Sequence, residues 1–88
     1  MIIEFHPKFK KYYQKRITSN PKLTEQTAQR IALFQNNPHH PLLKDHSLVG
    51  KKSHLRAFSI SGNIRIVYWP ISKDRVLFLN IGTHNQVY

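Results

Sequence analysis

Leu55-Arg-Ala-Phe-Ser-Ile60, Ile64-Arg-Ile-Val-Tyr-Trp69 and Arg75-Val-Leu-Phe-Leu-Asn-Ile81, followed by the polar stretch Gly82-Thr-His-Asn-Gln-Val-Tyr88, decide how this chain folds. Each of the first three is short and rich in β-branched and aromatic residues, as a strand requires. Ser61-Gly62-Asn63 supplies turn residues between the first two, and Pro70-Ile-Ser-Lys-Asp74 separates the second from the third. Neighbouring residues of a strand face opposite sides, so Arg65 points away from the side occupied by Ile64 and Ile66. The expectation is a meander with one apolar face and one cationic face, ending in histidine and tyrosine. A surface of that kind suits phosphate.

Upstream, Ile2-Ile-Glu-Phe5 reads as a short strand stopped by Pro7. Phe9, Tyr12, Tyr13 and Ile17 then recur at helical spacing across Lys8 to Thr18, with lysines over the remainder. Asn20-Pro21 is a helix start, Asn20 as N-cap and Pro21 in the first turn. Leu23, Thr27, Ala28, Ile31 and Phe34 form the stripe expected to be buried, and Asn36-Asn-Pro38 ends the helix. His39 to Gly50 reads as a loop anchored by leucines, and Lys51-Lys52 leads into the sheet. Strand, two helices and three strands predict a single α+β domain over residues 1–88. In it, an N-terminal strand and a two-helix hairpin pack on an antiparallel sheet of about four strands.

Composition narrows the partners. Fourteen Lys and Arg face only four carboxylates, a formal net charge of +10 over 88 residues. That is the footprint of nucleic-acid binding, although an acidic protein or an anionic membrane surface would also neutralise it. The absence of cysteine excludes disulfides and thiolate metal sites. Met1-Ile-Ile-Glu-Phe-His6 has no basic segment followed by a long apolar run, so a cytoplasmic location is expected.

Six histidines invite a metal reading. His39, His40 and His46 lie close in sequence beside Asp45, yet their spacing fits neither H-x-x-x-H nor H-E-x-x-H, so no metal and no cofactor are expected. His46 and His84 stand apart because each adjoins the sheet. Histidine's ordinary pKa near 6.5 suits proton transfer at neutral pH. The plainer alternative for each is a loop histidine bonded to backbone. Arg56 and Arg65 carry forked guanidinium groups that match a phosphate, or a solvated sheet face. Tyr88 can stack on a base. With four scattered carboxylates a two-metal nuclease does not fit. RNA needs no metal, because its 2′-OH attacks the adjacent phosphate given a base, an acid and surrounding cations.

Leu43-Lys-Asp-His-Ser-Leu-Val-Gly50, Gly62-Asn-Ile-Arg-Ile-Val-Tyr68 and Ile81-Gly-Thr-His-Asn-Gln-Val-Tyr88 resemble the YafQ-type branch of the RelE/ParE toxins of bacterial type II toxin–antitoxin systems. The resemblance covers essentially the whole chain. It implies a ribosome-dependent, metal-independent mRNA endonuclease held inactive by a cognate antitoxin, with operator DNA met only through the antitoxin complex and no membrane partner. It puts His46 and His84 on catalytic histidine positions, Arg65 on the strand arginine and Tyr88 on the terminal aromatic position. Arg56 falls near a basic residue of the pattern, and Lys51 and Lys52 are expected to contact the RNA backbone. The YafQ-type pattern has a further histidine where Ser59 stands, an Asp-Trp pair where Asn63-Ile64 stand and an arginine where Asn80 stands. A ParE-like gyrase-binding toxin is a second reading, against which the histidine pair argues, and these departures keep a third open, a degenerate toxin that only binds its antitoxin.

Overall fold

The computed structural model describes residues 1–88, in the order β1 (Ile2–Phe5), α1 (Pro7–Arg16), α2 (Pro21–Asn36), β2 (His46–Ser47), β3 (Arg56–Ser59), β4 (Ile64–Ser72), β5 (Arg75–Thr83) and α3 (His84–Val87). Single 3₁₀ turns at Pro41–Leu43 and Gly50–Lys52 flank β2. Helix starts follow the expected chemistry. His6 Nδ1 accepts from Lys8 N–H (3.0 Å) ahead of Pro7, and Asn20 Oδ1 accepts from Leu23 N–H (3.1 Å) ahead of Pro21. Lys15 and Arg16 lie in the last turn of α1, where the helix dipole favours cations. No helix is long and apolar enough to cross a membrane.

The sheet has five strands in the order β1-β5-β4-β3-β2. It departs from the expected antiparallel sheet of about four in two ways. β1 joins it parallel to β5, with Ile2 opposite Arg75 and Phe5 opposite Phe78. β2 adds a two-residue antiparallel edge against Arg56-Ala57, too short to leave an alternating pattern in the sequence. Pro70-Ile71-Ser72 belongs to β4 rather than to the separator, and only Lys73-Asp74 turns the chain. The ladder slips twice, between Val67 and Tyr68 and between Pro70 and Ser72, the second beside a residue with no N–H to give. β5 runs on through Gly82 and Thr83, and the rest of the polar stretch closes into the helical turn α3.

One face of the sheet meets α1 and α2 over an aromatic core. Phe34 stacks on Phe58 with ring centroids 4.4 Å apart, and Tyr68 and Phe78 meet Phe34 edge-on. Phe9 and Phe5 continue the cluster onto Phe78. Phe9, Ile17, Thr27 and Phe34 are buried as their spacing predicts, whereas Ala28 is exposed in an open groove between the two helices. The opposite face carries a small second cluster, Ala57, Val67 and Val87, flanked by Leu48 and Leu55. That cluster seats α3.

Candidate nucleic-acid site on the α3 face

The antiparallel register sorts the strand residues. Ala57 pairs with both His46 and Val67, and Arg65 pairs with both Ser59 and Gly82. Residues directly opposite share a face and the alternation repeats every second position. His46 and Arg65 therefore lie on the face covered by α3. Arg56 pairs with Ser47 and Tyr68 and turns to the helix-packed face instead.

Helix α3 brings the remaining groups. His84 and Tyr88 are four residues apart, so their rings stand on one side of the turn, edge to face at 4.6 Å between centroids. Val87 anchors the turn in the Ala57–Val67 cluster. Gln86 Oε1 accepts from Thr83 N–H at 2.8 Å, closing the N-terminus of the turn. A Cβ on Gly82 would lie 2.4 Å from Gln86 Oε1 and 2.9 Å from Arg16 Nη1, so any larger residue here must displace the ends of these two side chains. Arg16 reaches there from α1, lying over the Tyr12 ring at 4.0 Å and donating to Ile81 O (2.9 Å) and Asn80 Oδ1 (3.1 Å). A guanidinium thus sits beside Asn80 although α1, not β5, carries it.

These pieces enclose a cleft of about 540 Å³ lined by His46, Lys51, Lys52, His84 and Tyr88 together with Ser47-Leu48-Val49. No Asp or Glu side chain lines it. Tyr88 bridges the two histidines: its ring touches His84, and its hydroxyl lies 3.5 Å from His46 Nε2. Lys52 Nζ donates to Tyr88 O at 3.3 Å, and the Arg65 guanidinium lies 5.8 Å from the Tyr88 ring centroid.

Partner chemistry fixes the two imidazoles differently. A carbonyl only accepts, so the contact of His46 Nδ1 with Lys44 O (2.9 Å) puts a proton on Nδ1 and, in the neutral ring, leaves the Nε2 lone pair toward Tyr88. A guanidinium only donates, so the contact of Arg65 Nη1 with His84 Nδ1 (3.1 Å) makes Nδ1 the acceptor and puts the ring proton on Nε2. One ring offers a lone pair and the other a proton. His46 also satisfies the plain reading of a loop histidine bonded to backbone, and it does so while presenting Nε2 to the cleft.

Of the residues singled out in the sequence, the structure brings His46, His84, Arg65, Tyr88, Lys51 and Lys52 together and leaves Arg56 out. Arg56 Nε donates to Asp45 Oδ1 at 2.6 Å, and the hydroxyl of buried Tyr68 donates to Asp45 Oδ2. Burial alone would lower the Arg56 pKa, but the hydrogen bond and charge of Asp45 outweigh it and raise the group above its ordinary value. Burial, then the hydrogen bond and charge of Asp45, push the Tyr68 hydroxyl well above the ordinary tyrosine value. This network ties the residue before His46 into the core, a role that position alone does not reveal. Thr83-x-x-Gln86 matches the capping-box pattern and was a readable signal for α3.

No group of three or more His, Asp or Glu side chains is placed to hold a metal ion. His40 Nδ1 caps the Pro41–Leu43 turn through Leu42 N–H (3.1 Å), His6 caps α1, and His54 stands edge-on to Trp69.

Comparison with known proteins places this arrangement. The family model described as the bacterial toxin of type II toxin–antitoxin systems, YafQ, matches residues 1–88. The chain belongs to the YafQ toxin family. The YafQ-type fold recurs in solved structures at low identity. The Escherichia coli DinJ–YafQ complex is similar at 22% identity and a TM-score of 0.74, covering 98% of this chain and 96% of that one. A metal-bound toxin from Helicobacter pylori is similar at 24% identity and a TM-score of 0.72, covering 100% and 99%. A YoeB/ParE toxin from Agrobacterium tumefaciens is similar at 17% identity and a TM-score of 0.70, covering 96% and 99%. Among curated proteins, none matches this sequence.

Proposed function

We propose that this YafQ-family toxin is a metal-independent endoribonuclease that cuts messenger RNA on the ribosome. The observation that carries the reading is the meeting of His46 and His84 in one cationic cleft, in complementary hydrogen-bonding states. His46 Nε2 takes the proton of a ribose 2′-OH, whose oxygen attacks the adjacent phosphorus. The bond to the 5′-oxygen breaks, leaving a 2′,3′-cyclic phosphate and a 5′-hydroxyl. His84 gives that leaving oxygen its proton, and Arg65 neutralises the charge gathering on the phosphoryl oxygens. For His84 to carry two ring protons, Arg65 must turn from its Nδ1, which is where a bound phosphate would draw the guanidinium. Tyr88 stacks on a base, while Lys51 and Lys52 hold flanking phosphates. Arg56 has no part in this scheme, because Asp45 already holds it on the other face.

The DinJ complex of the similar toxin supports a cognate antitoxin as the partner that keeps this chain inactive. Its charge of +10 suits both an acidic antitoxin segment and ribosomal RNA. The test is induction without antitoxin, with 5′ ends of translated messages mapped for the wild type, His84→Ala and Arg65→Ala. Codon-phased cuts that vanish in both variants are expected. Growth arrest without cuts, accompanied by gyrase-linked DNA breaks, overturns the nuclease reading in favour of a ParE-like toxin. Neither arrest nor cuts overturns it in favour of a degenerate one. His84 is exposed, so His84→Ala is expected to change unfolding free energy by less than about 1 kcal/mol.

A further inference from the structure

Arg65 has two neighbourhoods. On one flank it meets His84 and Tyr88. On the other a second cleft, about 260 Å³, opens between α2, the Pro41–Leu43 turn and the β3–β4 turn, where Arg65 is joined by Arg30, Lys44, Ser59, Ser61 and Gly62. Three cations line this cleft and no carboxylate does. The chain's two ion pairs, Arg56–Asp45 and Arg75–Glu4, involve none of them.

The cations are held there by the backbone. Arg30 spends one nitrogen, Nη1, on two carbonyls, Leu42 O at 3.0 Å and Ser59 O at 3.3 Å, which fixes the guanidinium while its other N–H groups remain without a protein partner. Lys44 is the one non-glycine residue with positive φ (50°), a conformation that side chains of its size seldom adopt. It follows the Pro41–Leu43 turn, donates its N–H to Pro41 O, and offers its carbonyl to His46. The segment that orients the His46 ring therefore also sets Lys44 at this cleft. Like charges brought together without a counter-charge repel one another, and an anion between them removes that cost.

We propose that this cleft is a second phosphate subsite for single-stranded RNA, one nucleotide step from the linkage at His46 and His84, with Arg65 shared between the two phosphates. The subsite deepens the nuclease reading and rests on it. Binding across both clefts would fix the register of the strand and draw Arg65 off His84. Forked guanidinium groups, an ammonium and two serines match phosphodiester oxygens rather than a base edge.

The test is fluorescence anisotropy of a labelled RNA octamer carrying one 2′-deoxy substitution, titrated with the full chain between 50 and 200 mM KCl, on the order of the range over which such binding weakens measurably. Arg30→Gln keeps an amide donor for Leu42 O and Ser59 O, and Lys44→Asn tolerates the left-handed backbone. Losing one phosphate contact should flatten the plot of log K against log salt by about 0.7, equivalent to about fivefold weaker binding at 0.1 M salt. The combined variant should show that change, whereas Lys10→Gln beside the α1–α2 groove should leave affinity within about twofold. A combined variant with wild-type slope and affinity overturns the subsite and leaves the nuclease reading standing. Wild-type protein without salt-dependent RNA binding likewise overturns the subsite, and the nuclease reading then stands or falls on the mapped cuts alone. Should the combined variant fail to fold, amide NMR of the wild type decides: the Lys44, Ser61 and Gly62 signals must shift on adding the octamer, and unmoved signals overturn the subsite.

Discussion

Tyr68→Phe separates the Asp45 network from every other titrating group in the molecule. The hydroxyl is buried and donates to Asp45, which raises its folded-state pKa above the unfolded value near 10. A group raised in this way contributes fully below the unfolded pKa. Its contribution falls as pH climbs toward the folded pKa, because the unfolded chain loses the proton first. With the folded-state value above the range tested, linkage gives a loss of RT ln(1 + 10), or about 1.4 kcal/mol, between pH 9 and pH 11. The variant removes that loss together with one hydrogen bond to a charged acceptor, costing about 1.5–3 kcal/mol at neutral pH. Urea unfolding of both proteins at half-unit steps from pH 7 to 11 measures the difference. Every other ionisable group is common to the two proteins, so its contribution cancels in the comparison. The gap between the two proteins should narrow by about 1.4 kcal/mol above pH 9. Parallel profiles would refute the network as the cause.

Phe34→Ala removes the ring at the centre of the aromatic core, fully buried and stacked on Phe58, and should cost about 3–5 kcal/mol, lowering Tm by at least about 12 °C in a calorimetric scan. Gly82→Ala should displace the Gln86 side chain from Thr83 N–H and loosen α3, costing about 1–2 kcal/mol in urea unfolding. That cost should shrink by at least about 0.5 kcal/mol in a Gln86→Ala background, and strict additivity would remove Gln86 as its origin.

The elements legible from sequence were those with a local cause. Asn20-Pro21 and the spacing of Phe9 through Ile17 made the helices readable, and Ser61-Gly62-Asn63 the hairpin. β1's parallel pairing left no local trace, since its partner is set by the whole chain closing on itself, and a two-residue strand at His46 shows no period. Arg56 shows the same limit within the candidate site. Two arginines in adjacent strands look alike in sequence, but cross-strand register turns Arg65 toward α3 and Arg56 toward Tyr68. Bonds to Arg56 and Tyr68 likewise hold Asp45, one of only four Asp and Glu side chains, away from the cleft.

The parallel pairing of β1 with β5 has a consequence for how the protein is made. Residues 2–5 find their partners only in residues 75–78, and Phe78 touches Phe5, Phe9, Phe34, Phe58 and Tyr68. While β5 is still being added, α2 can meet β3 and β4 through Phe34, but α1 and β1 lack the strand they pack on, and contacts this distant in sequence form late and slowly. The cleft between His46 and His84, built on such a sheet, cannot assemble on a half-finished chain, so synthesis itself gives a time window before that cleft exists.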